Sequence, residues 1–166
     1  MGKNRGFTLI ELMVTIAILA IIATLAAPSF GNFVAEQKLN GSTREILLSV
    51  DLAKSRASLM KSTVALCLNK TNTDDDLDAN ECAIQAAIPG YSAMSPAEKL
   101  EVQKTRVVLA QINPDVVVRS TSGISILVND VGGASAPQTF DLCKSGKQKT
   151  ITVTRLGIIT QTPGTC

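Results

Sequence analysis

The feature that most limits what this chain can fold into lies near its start. From Phe7 to Ala27 the run FTLIELMVTIAILAIIATLAA is apolar or small throughout, apart from one carboxylate at Glu11. A helix of about 20 apolar residues crosses a bilayer, so this run is long enough to span one. Lys3 and Arg5 precede it, and basic residues on one flank keep that flank cytoplasmic and send the rest outward. An ordinary secretory signal has a shorter apolar core followed by small residues at its cleavage site. AATLAAPSF offers such residues, with cleavage after Ala26 or Ala27 as the alternative. Glu11 argues against it. An acid inside a spanning helix costs a few kcal/mol on insertion scales and implies a partner or a function.

The rest of the chain is short of chemistry. Its 166 residues allow one domain plus an appendage. Lys3 and Arg5 account for the whole formal charge of +2, so the chain beyond them is balanced and a strongly basic nucleic-acid binder is not indicated. There is no His and no Trp, with only four Phe and one Tyr. The core must be aliphatic, and the commonest general base and metal ligand is missing. With no GxSxG, no Cys/His pair and no carboxylate dyad, neither catalytic residues nor a cofactor is expected. Cys67, Cys82, Cys143 and Cys166 form no CxxC pattern and have no His to complete a zinc site. Two disulfides in an oxidising compartment are the better reading; four buried reduced thiols in a cytosolic domain sit poorly beside the apolar segment.

Lys3, Arg5 and Gly6, followed by Phe7, Thr8, Leu9, Ile10, Glu11 and Leu12, resemble the class III signal of type IV prepilins and type II secretion pseudopilins. The resemblance implies that residues 1–6 are a leader, that a prepilin peptidase cuts between Gly6 and Phe7, and that Phe7 becomes N-methylated. It also implies a role for Glu11 in assembly. The new Phe7 amine is a cation, and in low dielectric the Glu11 carboxylate of a neighbouring subunit could meet it and set axial register. An acid in a first helical turn also suits the helix dipole of its own chain. Pro28 matches a proline common in such pilins, and inside a helix it removes a hydrogen bond and bends the chain.

Residues 7–60 read as one long helix, with 7–27 as transmembrane segment and filament core. At about 1.5 Å per residue its length is about 75–80 Å. Phe30, Phe33 and Val34 continue the apolar surface, Gly41 and Ser42 are expected to loosen the helix, and Ile46, Val50, Ala53, Ala57 and Met60 form one stripe. Arg44, Glu45, Asp51, Lys54 and Arg56 lie opposite. Residues 61–166 read as a β-rich head: STVALCLN, RVVLAQI, DVVVR, GISILV, QTFDLC and TITVTRLGIIT are β-branched runs between turn residues. A short helix is expected within 83–105, with Ser95 as N-cap, Pro96 first and Glu98 third. The fold class is α+β, one amphipathic helix packed on a β-rich head.

The head is similar to the FimT/FimU/GspH group of minor pilins and pseudopilins. VALCL with Cys82 looks like the group's early strand and first disulfide; ISILVNDVGG, QTFDLC and TITVTRLGIITQTPGTC look like its closing sheet. The resemblance implies the pairs Cys67–Cys82 and Cys143–Cys166. AIPGYSAMSPAEKLEVQKT departs from the group, which often has a Trp-Gly-Trp-like stretch there.

Two further constellations stand out. DDDLD, with Asp74, Asp76 and Asp78, starts like a calcium loop, but an EF-hand needs Gly at Ala79 and Glu at Gln85. It reads as a solvated acidic loop, and no metal is expected. CKSGKQKT is no phosphate loop. Lys144, Lys147, Lys149 and Arg155 have no acid among residues 143–166, and such an edge could contact a DNA backbone without reading its sequence. The arginines of DNA-binding FimT-type pilins are absent here, since Ile158, Ile159 and Thr160 follow Gly157.

The expectation is thus a minor type IV pilin, not an enzyme. It would sit in the inner membrane by a single pass with a periplasmic head. After processing it would join other major and minor pilins in a filament, at or near the tip, where it primes assembly and serves adhesion, twitching or DNA uptake. A GspH-like pseudopilin of a type II secretion system and a DNA-binding pilin are the alternatives.

Overall fold

The computed structural model of the chain describes residues 7–166, apart from the side chains of residues 25–29. The elements are α1 (Leu9–Met60), β1 (Val64–Leu68), α2 (Ala79–Gln85), a 3-10 turn (Tyr91–Ala93), α3 (Pro96–Arg106), β2 (Val107–Ala110), β3 (Val117–Val118), β4 (Ser125–Val128), β5 (Gln138–Lys144), β6 (Lys147–Val153) and β7 (Ile159–Thr165). Two compact units divide between Ala35 and Glu36. In the first, the chain exposes large apolar residues at Phe7, along α1 from Leu9 to Ile22, and again at Phe30 and Phe33. Among the described residues no helix is long and apolar enough to cross a membrane; the run expected to do so ends at Leu25, Ala26 and Ala27, outside the described side chains.

The second unit, Glu36–Cys166, is the head and includes the rest of α1. Leu39, Ile46, Val50, Ala53 and Ala57 are buried in one core with Val64, Leu66, Val108, Ile126, Phe140, Leu142 and Ile151. The working stripe therefore starts two turns earlier than the sequence suggests and stops at Ala57. Met60 is 39% exposed, because the helix has run past the sheets. Nor do Gly41 and Ser42 loosen α1, which is helical through both. Ser42 is buried and its Oγ accepts from the Asn113 amide at 3.0 Å, which ties α1 to the segment before β3.

Two sheets share this helix. One has the order β2-β1-β4, the other β3-β5-β6-β7. All five residues of β1 are buried, because α1 covers one face while α2, the 3-10 turn and α3 cover the other. Ala65, Cys67, Cys82, Ala83, Ile88, Tyr91, Val102 and Val107 make that second core. α2 and the stretch AIPGYSAMSPAEKLEVQKT together form its lid. Tyr91 is 2% exposed, accepting from Gln103 Nε2 at 2.6 Å and donating to Asn80 Oδ1 at 2.9 Å. Both helices of the lid carry capping boxes, Ser95 with Glu98 and Asp78 with Glu81.

TITVTRLGIIT is two strands, not one. Thr154 donates to the Ile158 carbonyl at 2.9 Å and Gly157 takes φ 76°, so the chain turns back and β7 pairs with β6. A side chain on Gly157 would meet the Gly132 carbonyl oxygen. In this register Thr160, Thr162 and Gly164 face β6 with their amides, and Ile159, Gln161, Pro163 and Thr165 face outward. Pro163 therefore removes a donor from the open edge, where an unpaired strand would otherwise recruit another chain.

α1 ends on Lys61, which takes φ 50° while Ser62 donates to the Ala57 carbonyl at 3.2 Å, a Schellman-type closure without the usual glycine. Conversely, Gly41 sits mid-helix with nothing within 4 Å of where a Cβ would stand. Gly41→Ala and Lys61→Gly are each expected to stabilise the chain by about 0.5–1 kcal/mol. Denaturant unfolding of the detergent-solubilised chain checks both; a midpoint that falls in either variant contradicts these backbone assignments.

Candidate functional site

The amino-terminal end of α1 is the first place where side chains converge. Glu11 Oε2 accepts from the Thr8 amide at 2.8 Å and from Thr8 Oγ1 at 2.9 Å, and the Glu11 amide donates to Thr8 Oγ1 at 3.3 Å. Thr8 and Glu11 stand as N-cap and third residue, so this is a capping box that satisfies the otherwise unpaired amides of a helix start. Both bonds to the carboxylate fall on Oε2, and among the described residues Oε1 accepts none. The box uses nothing before Thr8. A chain beginning at Phe7 would keep it whole.

Around the box the surface is apolar. Phe7 is 86% exposed and Leu9 75%, and Ile10, Leu12, Met13 and Val14 are exposed too. A helix apolar all round needs apolar surroundings on every side. Of the residues expected to take part in processing and bending, Gly6 and the side chain of Pro28 lie outside the described set; the backbone at residue 28 is helical.

In the head, Cys67 of β1 is joined to Cys82 of α2 with Cα atoms 5.8 Å apart, and Cys143 of β5 to Cys166 with Cα atoms 6.2 Å apart. The first bridge is buried and pins the lid to the central strand; the second holds the exposed end of β7 to β5. The acidic loop between Cys67 and Cys82 is engaged internally. Asp74 pairs with Lys70 at 2.7 Å, Asp75 accepts from Thr73 Oγ1 at 2.6 Å, and Asp78 caps α2. Among the described residues no group of three ligating side chains is placed to hold a metal ion.

The four cations of the C-terminal region do not form one edge. Ser145 and Gly146, at φ 50° and 78°, make the two-residue turn between β5 and β6. Lys144 lies opposite Lys147, and Lys149 opposite Leu142. These lysines therefore share the sheet face that carries Leu142, Phe140 and Ile151, continuing it toward the first head turn of α1. Arg155 sits in the β6–β7 turn, six residues and about 20 Å of strand from Lys149. Lys147 Nζ meets Glu36 Oε2 at 2.6 Å, and Lys38 pairs with Asp115. The Lys147 ammonium holds the Glu36 carboxyl below the usual carboxylate range, with Lys149 adding to the pull. Lys38, and then Lys144, do the same to Asp115. Nothing in the sequence announces a pair 111 residues apart. The strand register and the helix meet only in three dimensions.

Comparison with known proteins completes the picture. The Prokaryotic N-terminal methylation motif matches residues 1–27. A probable minor fimbrial protein of Dichelobacter nodosus is 30% identical over 124 residues, covering 75% of this chain and 62% of the relative. A type IV major fimbrial protein of the same organism is 32% identical over 81 residues, 49% of this chain and 41% of the relative. The type IV major pilin protein of Myxococcus xanthus is 56% identical over 36 residues, 22% of this chain and 16% of the relative. The chain is a type IV pilin-like protein with a class III signal.

This pilin-like chain spans 62% of the length of the minor fimbrial relative. No solved structure matches it. Its α+β architecture, a long helix on a sheet-rich head, is the pilin arrangement. The Thr8–Glu11 box lies within the residues that the methylation motif matches.

Both depressed carboxyls make the head sensitive to acid. Because their folded pKa values lie below the unfolded ones, the stabilisation by Glu36 and Asp115 is fully present above the ordinary carboxylate range, about pH 4, and is lost as pH falls through the depressed folded values. Glu36→Gln with Asp115→Asn should lower the melting temperature at neutral pH and change it little in acid, flattening the acid limb of a plot of melting temperature against pH. An acid limb as steep as in the unsubstituted chain would show that these pairs do not carry it.

Proposed function

We propose that this chain is a minor type IV pilin, anchored in the inner membrane by Phe7–Ala27 with its head in the periplasm. Prepilin peptidase cuts between Gly6 and Phe7, and the Phe7 amine is methylated. The processed subunit then joins other pilins, acting with other minor pilins at or near the filament tip to prime assembly. The observation that carries this reading is Glu11. It is the sole acid in an otherwise apolar helix start, it is held in a box that survives cleavage, and its Oε1 stays available to a neighbour's amine among the described contacts. In an apolar filament core such a charge pair fixes axial register, because breaking it leaves an uncompensated charge.

The relatives named as minor and major fimbrial proteins support a pilus subunit over a GspH-like pseudopilin. A DNA-binding role draws less support, since Lys147 is engaged with Glu36 and Arg155 stands at the far end of the hairpin.

Gly6→Val should leave a full-length precursor in membranes, and amino-terminal sequencing of the unsubstituted protein should begin at Phe7. A mature chain starting at Ser29 would contradict the proposal. Glu11→Val should insert and be cut normally, yet enter sheared pili several-fold less efficiently. Equal incorporation would remove the amine–carboxylate contact from the mechanism.

A further inference from the structure

Lys144, Lys147 and Lys149 need an occupant. They project from one face of the β5–β6 hairpin at the end of the head where its first α1 residues lie, beside Glu36 and Lys38. Four lysines meet two carboxylates there. Glu36 takes Lys147 and Asp115 takes Lys38, and Lys144 and Lys149 act on those same carboxylates only through their fields. The cluster thus carries an excess of positive charge in a chain that is otherwise balanced beyond Arg5.

Chain connectivity gives the cluster its neighbour. Glu36 is only nine residues beyond Ala27 in the chain, so the cluster is tethered close to the proposed span. Flexible lysine stems extend its reach toward the surface, and the attraction is screened over about 10 Å at 0.1 M salt. We infer that this lysine cluster is a docking surface for anionic lipid headgroups, holding the head against the membrane before the subunit leaves it. The inference rests on the span proposed above. Because the anchor already keeps the head at the surface, a weak attraction suffices to orient it. Lysines near an anionic surface each contribute about a fivefold bias, screened by salt. The same two ion pairs stop the cluster from being more basic, so the contact stays reversible.

The test uses the full chain in vesicles of phosphatidylcholine alone or with phosphatidylglycerol as the anionic lipid, reading lysine acetylation rates by mass spectrometry. Lys61, 25 residues beyond Glu36 and just past the end of α1, serves as the internal reference. At low salt, Lys144 and Lys149 should be acetylated about fivefold more slowly in the anionic vesicles relative to Lys61, and raised salt should abolish the difference. In Lys144→Gln/Lys149→Gln the corresponding slowing at Lys38 and Lys147 should shrink. Equal rates in the two vesicle types would overturn the inference, as would slowing that persists unchanged in the double variant. Slowing that appears only when duplex DNA is added would hand the lysines to a phosphate backbone and equally overturn it. A carbonate wash separates the two failures. A chain stripped from both vesicle types loses the span, and this docking with it; a chain retained in both but evenly acetylated loses only the docking.

Discussion

Everything in the head depends on one helix face serving two sheets. Leu39, Ile46, Val50, Ala53 and Ala57 lie against residues from β1, β2 and β4 on one side and from β5 and β6 on the other. Burying that shared apolar face against the helix takes it out of water, the dominant favourable term in folding. Alanines at 53 and 57 keep the helix close to both sheets. The ties beside this seam then have fixed partners: Ser42 to Asn113, Lys54 to the Gly157 carbonyl, Arg56 to the Val107 carbonyl at 3.4 Å.

The same helix has a second, opposite requirement in its first unit. There the apolar residues are exposed on all sides, and the one acid is folded back onto its own helix start through Thr8. Capping lowers the cost of carrying a carboxylate in apolar surroundings by giving it two donors. It leaves the charge in place. An internal cap and an external cation are therefore compatible uses of a single carboxylate, one on each oxygen, and the proposed assembly contact needs no rearrangement of the box.

The disulfides and the edge treatment suit the exported subunit proposed above. One bridge locks the lid onto β1; the other fastens the last residue to β5, so that β7 cannot peel away from its end. Pro163 on the outward side of β7 limits unwanted strand pairing, which matters for a protein whose proposed task is to pack among similar copies. Asp141, 8% exposed, is satisfied by Gln148, Thr150 and Thr121, and Arg119 steadies Gln148 at 2.7 Å. This cluster binds the turn after β3 to the sheet and presents nothing to a ligand.

Local chemistry was readable in advance where it depends on neighbours in the chain. The apolar run with its acid, the α+β class, the strand runs and the Ser95 cap all rest on periodicity and on contacts three or four residues apart. Asp78 was legible too, since Asp-x-x-Glu is a capping signal, but its place in an acidic run made it read as part of a solvated loop. The split of TITVTRLGIIT was hidden because a single Gly inside a β-branched run does not show whether the chain turns there or runs on. Met60 looked like core because a helical stripe has no mark for where the sheets end. What the sequence by itself determined is the signal, the helix and the supply of strands, because those follow from spacing along one chain. Which lysines are paired and which remain unpaired, and that Arg155 stands apart from them, was decided by tertiary structure, because charges 111 residues apart acquire partners only when strand register and helix position are set together.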